Sequence, residues 1–194
     1  MAVRSATTAL EALVTAYSMT FDADKAVRAF SRDFPPLAAK LRRALGLDEV
    51  PGAPAGYFQA NLSDGSTGFF QRRADDCEQA AIATVVGLPM HRVPDLELHV
   101  NLFSSNDYEA TLAAANATMC AWLAEHHITV RHHPTPPLTG KWIAVTGDLS
   151  GFNSHCLVMN GRDVLFDPAS LAPGLPGLLG SDWREDFNVA MTIE

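Results

Sequence analysis

One cysteine of the chain stands where its sulfur could become a nucleophile. The stretch Asp75-Asp76-Cys77-Glu78-Gln79 precedes a run of small and apolar residues. This pattern predicts a helix that begins at Cys77, with Asp76 as N-cap and Gln79 completing a capping box. A thiol in the first turn of a helix lies near unpaired backbone N–H groups and the positive end of the dipole. Because that environment favours the thiolate, the sequence predicts a reactive cysteine.

A histidine and an acid far along the chain complete the chemistry. His155 opens a predicted strand, Asp167 closes the next one, and Asn160-Gly161 between them is a hairpin signal. If the two strands pair, His155 and Asp167 become neighbours. A cysteine thiolate attacks a carbonyl carbon, a histidine protonates the leaving group, and a carboxylate orients the imidazole. These residue types in this arrangement indicate acyl transfer.

The oxyanion of such a reaction needs hydrogen-bond donors. Gln71 lies six positions before Cys77. We expect its side-chain amide and the backbone N–H of Cys77 to supply them, each lowering the barrier by about 3 kcal/mol.

Helices first and strands afterwards predict an α+β fold. Residues 1–50 read as a helical N-terminal segment, the Pro- and Gly-rich stretch Val50–Gly56 as a linker, and residues 57–194 as the main domain. A second helix is expected to begin after Ser105 or Asn106. Strands are expected at 128–131, 142–146, 155–159 and 164–166, and an irregular tail at 171–180.

The other two cysteines are expected in the core and unreactive. Cys120 falls on an apolar stripe of the second helix, with Tyr108, Leu112, Ala115, Met119 and Leu123. Cys156 should point to the opposite face of its strand from His155. Trp142, one strand before His155, could shield the catalytic pair from water or simply fill the core.

The order Gln71, Cys77 with its helix, a strand-borne His155 and the pair Asp167-Pro168 resembles papain-like cysteine peptidases. It is most similar to the compact bacterial branch that includes the leader peptidases of bacteriocin-exporting transporters, and to small bacterial and phage proteins of that fold. The resemblance covers about residues 69–170. It implies N-terminal helices packed on a C-terminal antiparallel sheet, and no metal or organic cofactor.

The resemblance also implies a role for each residue: nucleophile for Cys77, general acid/base for His155, orienting carboxylate for Asp167 and oxyanion donor for Gln71. Glu78 departs from the pattern, because that branch usually has a small residue after the cysteine. Carboxylates beside a thiol raise its pKa, against the helix dipole and the histidine.

Composition excludes several classes of partner. A net charge of −8 argues against nucleic acid, and no apolar run approaches the length of a membrane span. Three widely spaced cysteines favour reduced thiols in a cytoplasm. The pairs His126-His127 and His132-His133 lack a further ligand at metal-binding spacing, so we expect no metal site.

The sequence thus predicts a hydrolase that cleaves a peptide or amide bond through a thioester on Cys77. Two alternatives stay open: an acyltransferase or deamidase that uses the same thioester, and an inactive papain-like module that binds a partner. Residues 1–50 could contact a partner protein or cover the groove as a propeptide does. The substrate itself is not predicted.

Overall fold

The computed structural model describes residues 36–73, 76–95, 107–147, 155–170, 172–173 and 187–194. The helices expected before residue 36 and most of the tail expected at 171–180 lie outside these residues.

The described chain is mixed helix and sheet, with two antiparallel sheets, and is compatible with an α+β fold. The small sheet has the order β1-β2-β3 and the large one the order β4-β8-β5-β6-β7. The elements in chain order are α1 (residues 36–44), β1 (Asp48–Glu49), β2 (Phe58–Asn61), β3 (Thr67–Phe69), α2 (Cys77–Val86), a short 3-10 helix (Met90–Arg92), α3 (Tyr108–Glu125), β4 (Val130–His133), β5 (Lys141–Thr146), β6 (His155–Asn160), β7 (Asp163–Phe166) and β8 (Phe187–Ile193).

The predicted hairpin is confirmed as β6 and β7. Asn160 pairs with Asp163, and Gly161 in the turn has a φ of 57°, a conformation that glycine adopts without strain. All four predicted strands occur, with bounds shifted by at most two residues. Because β6 begins where β7 ends, His155 lies beside the turn after Phe166.

The central strands β5 and β6 of the large sheet are buried on both faces. Cys156 and Val158 of β6 belong to a core cluster with Ala80 and Ala81 of α2. The intervening Leu157 and Met159 belong to a second cluster, which also contains Trp142. Trp142 pairs with Met159, four residues along β5 from the Thr146–His155 pair, or roughly 13 Å. Trp142 is therefore a core residue and does not shield the histidine.

The predicted capping box on α2 is wrong. Asp76 is at the N-cap position but makes no side-chain cap hydrogen bond. Its carboxylate accepts the backbone N–H of Arg73 at 2.8 Å instead. The amide of Gln79 is buried and donates to the carbonyl oxygens of Met90 (3.1 Å) and Val93 (2.7 Å). Both side chains satisfy loop groups that would otherwise be buried without a partner.

Two expectations about α3 are also corrected. Its N-cap is Asp107, whose carboxylate accepts the backbone N–H of Ala110 at 3.0 Å, rather than Ser105 or Asn106. Met119 is buried as expected, but Cys120 is exposed. The predicted apolar stripe is therefore wider than the buried face of α3, because it includes the exposed Cys120.

Arg42 of α1 is buried between the loop before α2 and the turn after β7. Arg42 is 1% exposed, and its guanidinium donates to the carbonyl oxygens of Gln71 (2.6 Å), Ser170 (2.9 Å) and Pro168 (3.4 Å). It stacks 4.7 Å from the centre of the Phe70 ring. Burial lowers its pKa to about 10. One side chain thus joins the loop before α2 to the turn after β7.

Arg42→Met should lower the free energy of unfolding by about 2–4 kcal/mol, because it leaves buried carbonyl groups without donors. Urea denaturation measures this difference. The matched control is Arg43→Met: Arg43 forms an exposed ion pair with Glu49, so its loss should cost less than about 1 kcal/mol. Equal losses for the two variants would contradict the role of Arg42.

Candidate active site

His155 and Asp167 form a direct hydrogen bond. Nε2 of His155 is 2.8 Å from Oδ1 of Asp167, and both side chains are largely buried. The same carboxylate oxygen accepts the backbone N–H of Ala169 at 2.8 Å. With Nε2 engaged by Asp167, Nδ1 is the ring nitrogen left for a reacting group. Within the described part of the chain, Nδ1 is buried and makes no hydrogen bond.

Cys77 is the first residue of α2 and is buried, with 9% of its surface exposed. Its side chain interacts with those of Cys156 and His155. Hydrogen bonding from Cys156 and the charge of His155 outweigh burial and hold the pKa of Cys77 well below its usual range. The start of α2 adds the positive end of a helix dipole. These contacts favour the thiolate form of Cys77.

The pKa of the His155 imidazole is shifted in the opposite direction from that of Cys77. Burial alone would lower the pKa of His155, but the hydrogen bond to Asp167 and the interaction with Cys77 raise it to about 10. The lowered pKa of Cys77 and the raised pKa of His155 both favour the charged forms, in which each group stabilises the other.

Cys156 is buried, as expected, but it also contacts Cys77, which the sequence did not predict. Both its thiol and its backbone N–H interact with the Cys77 sulfur, and the thiolate raises the pKa of Cys156. Strand alternation puts His155 and Cys156 on opposite faces. Because α2 packs against β6, a sulfur at the start of the helix reaches both residues.

Gln71 lies beside the turn after β7 and is 2% exposed. Its backbone N–H donates to the carbonyl of Pro168 at 3.0 Å, and its side-chain amide donates to the carbonyl of Arg73 at 2.9 Å. The amide nitrogen is thus held within its own loop, and among the described residues it makes no second hydrogen bond. Its role as an oxyanion donor stays a prediction.

The carboxylates next to Cys77 differ in their surroundings. Asp76 accepts the N–H of Arg73 and has Nε of Arg72 at 3.9 Å. Glu78 is different: burial and the neighbouring Cys77 thiolate raise the pKa of its carboxyl to about 7. Sequence reasoning identified Glu78 only as a departure from the family pattern. Its position next to Cys77 was the sequence feature that could have indicated this perturbed carboxyl group.

The described residues contain neither a cluster of metal ligands nor a helix that could span a membrane. Within them, no three or more His, Cys, Asp or Glu side chains cluster as metal ligands. Of the paired histidines, His133 contacts the hydroxyl of Thr192 at 2.8 Å, and His126 contacts the carbonyl of Trp122 at 2.9 Å. None of the helices that the structure describes is long and apolar enough to cross a bilayer.

Comparisons with protein-family models, curated proteins and solved structures find no match to this chain. The site is therefore characterised by its own geometry.

The thiolate of Cys77 should be visible by its ultraviolet absorbance below neutral pH. Replacing the partner in His155→Gln should move the midpoint of this transition up by about 1–3 pH units, because an opposite charge at close range is lost. Cys120→Ala is the control and should leave the midpoint unchanged. An unchanged midpoint in His155→Gln would contradict the thiolate–imidazolium pair.

Proposed function

We propose that the protein is a thiol hydrolase that cleaves a peptide or amide bond through a thioester on Cys77. The single observation that supports this most strongly is the buried arrangement of Cys77, His155 and Asp167. A thiol of lowered pKa, an imidazole of raised pKa and a carboxylate 2.8 Å from that imidazole are the groups that acyl transfer requires.

In the first half of the reaction, the Cys77 thiolate attacks the carbonyl carbon of the scissile bond. A C–S bond forms, and the carbonyl electron pair moves to oxygen. The backbone N–H of Cys77, at the start of α2, is directed toward that oxyanion, and Gln71 is the second candidate donor. His155 then transfers its Nδ1 proton to the leaving nitrogen. The amine departs, and the acyl group remains as a thioester.

In the second half, water attacks the thioester. Nδ1 of His155, now neutral, accepts a proton from the water as the C–O bond forms. The C–S bond breaks, the acid leaves, and the thiolate–imidazolium pair is restored. Asp167 holds the Nε2–H throughout, so that Nδ1 keeps facing the sulfur.

The proposal includes a papain-like arrangement. It is supported by a cysteine at the start of a helix that packs on an antiparallel sheet, by a histidine that begins one strand of that sheet, and by an acid directly after the neighbouring strand. The adjoining free thiols of Cys77 and Cys156 suit a reducing compartment, which supports the cytoplasm as the location.

A peptide library and intact-mass spectrometry test the reaction. Acid quenching during turnover should trap an adduct on Cys77 with the mass of the acyl half of the substrate. Cys77→Ala should abolish hydrolysis, and Asp167→Asn should lower kcat by about 10²–10⁴-fold through loss of correct proton transfer. Cys120→Ala is the matched cysteine control and should retain full activity. Hydrolysis that persists in Cys77→Ala would contradict the proposal.

A further inference from the structure

A cavity of about 630 Å³ lies among α2, α3 and the strands β4, β5 and β8 of the large sheet. Its volume is in the range of small-molecule sites. The walls are mostly apolar and include Ile82, Met119, Leu123, Ile143, Met191 and Ile193. A large apolar group of a ligand would be well matched to this space.

Glu78 brings a carboxyl group to this apolar cavity. Within the described ranges, Glu78 has no hydrogen-bond or ion-pair partner, and no lysine or arginine is among the described lining residues. The other polar lining residues include Asn116 and His132. A carboxylate in such surroundings is costly unless a donor or a cation pairs with it. Burial and the negative charge of Cys77 raise the pKa of Glu78 to about 7.

The cavity reaches α2 one residue from Cys77, because Glu78 lines it and follows Cys77 in the first turn of the helix. The charges of Glu78 and Cys77 act on each other, and Glu78 also acts on Cys156. Cys156 pairs with Val145 on β5, and Ile143 of the cavity wall is two residues farther along that strand, or roughly 7 Å. Cys77 is not itself a lining residue, so a group attached to a carbonyl at its sulfur would enter the cavity past Glu78.

We propose that the cavity and Glu78 bind the acyl half of the substrate, and that this half is an N-terminal residue with a large apolar side chain. The side chain fills the cavity, and the free α-ammonium group pairs with the Glu78 carboxylate. The protein then releases single apolar residues from the N-terminus of a peptide. This inference rests on the proposed function.

The position of the ammonium group favours this class over two others. An α-ammonium is one carbon away from the carbonyl carbon that Cys77 attacks, so it lies near the residues that flank the sulfur, and Glu78 is the one of these that lines the cavity. A fatty acyl chain would match the apolar walls but leave the carboxylate unpaired, and a peptide with a blocked N-terminus would offer it only a neutral N–H. A cation beside the apolar group matches both features of the site and makes the stronger, charge-assisted contact.

Binding can be measured without turnover in Cys77→Ser by calorimetry. Leucinamide should bind about 10–100-fold more tightly than N-acetyl-leucinamide, the range expected for one buried charge-assisted contact. It should also bind more tightly than glycinamide, which leaves the cavity empty. Equal affinity for leucinamide and its acetylated form would overturn the proposal, and this comparison needs no variant of the cavity.

Two further variants separate the ammonium contact from the apolar contact. Adding Glu78→Gln to Cys77→Ser should remove the preference for the free amine and keep the preference for leucine over glycine. Glu125→Gln, an exposed residue at the end of α3, makes the same change in net charge and should alter neither. A preference for the free amine that survives Glu78→Gln would overturn the assignment to Glu78.

Turnover by the unmodified protein distinguishes failure of this inference from failure of the proposed function. Coumarin amides of leucine and of N-acetyl-leucine serve as substrates. Faster Cys77-dependent hydrolysis of the leucine amide supports the inference. Equal or faster hydrolysis of the acetylated amide overturns it and leaves the thiol hydrolase intact. If neither is cleaved while leucinamide still binds preferentially, the site for an N-terminal residue stands and the hydrolase is contradicted.

Discussion

The interaction between Cys77 and His155, which favours the thiolate of one and the imidazolium of the other, is the constraint on which the candidate site depends. Neither group is stable as an ion in a protein interior without its partner and further hydrogen bonds. Asp167 supplies one at 2.8 Å, and Cys156 supplies another to the sulfur. These contacts require the start of α2, the start of β6 and the end of β7 to converge. The hairpin register and the packing of α2 on the sheet meet that requirement.

Stability and chemistry share residues at the underside of the site. Arg42 donates hydrogen bonds to the carbonyl groups of Gln71, Pro168 and Ser170. It therefore fixes the spacing between the loop before α2 and the turn after β7, which contains Asp167. The same loop uses the carboxylate of Asp76 to hold a backbone N–H. Side chains of this loop thus bind backbone groups, whereas Glu78 has no hydrogen-bond or ion-pair partner among the described residues.

The sequence predicted what local pattern determines. Asn160-Gly161 specified the hairpin because the turn type sets the register of both strands, and that register brings His155 to Asp167. Local sequence patterns could not predict contacts between distant segments. The partners of Gln79 are carbonyl groups beyond the helix end, and the acceptors of Arg42 come from two remote loops. Strand β8 and the cavity likewise depend on long-range pairing that no local periodicity encodes. The strands of the small sheet are close together in the chain, but they are too short to show a period of two.

The protonation of His155 tests the central charge pair most directly. Nitrogen NMR of the imidazole ring distinguishes an imidazolium, with both nitrogens protonated, from a neutral ring. We expect the ring to remain an imidazolium well above neutral pH and to titrate at about 10. A ring that becomes neutral near the usual histidine pKa of about 6.5, with Cys77 intact and reduced, would contradict the account.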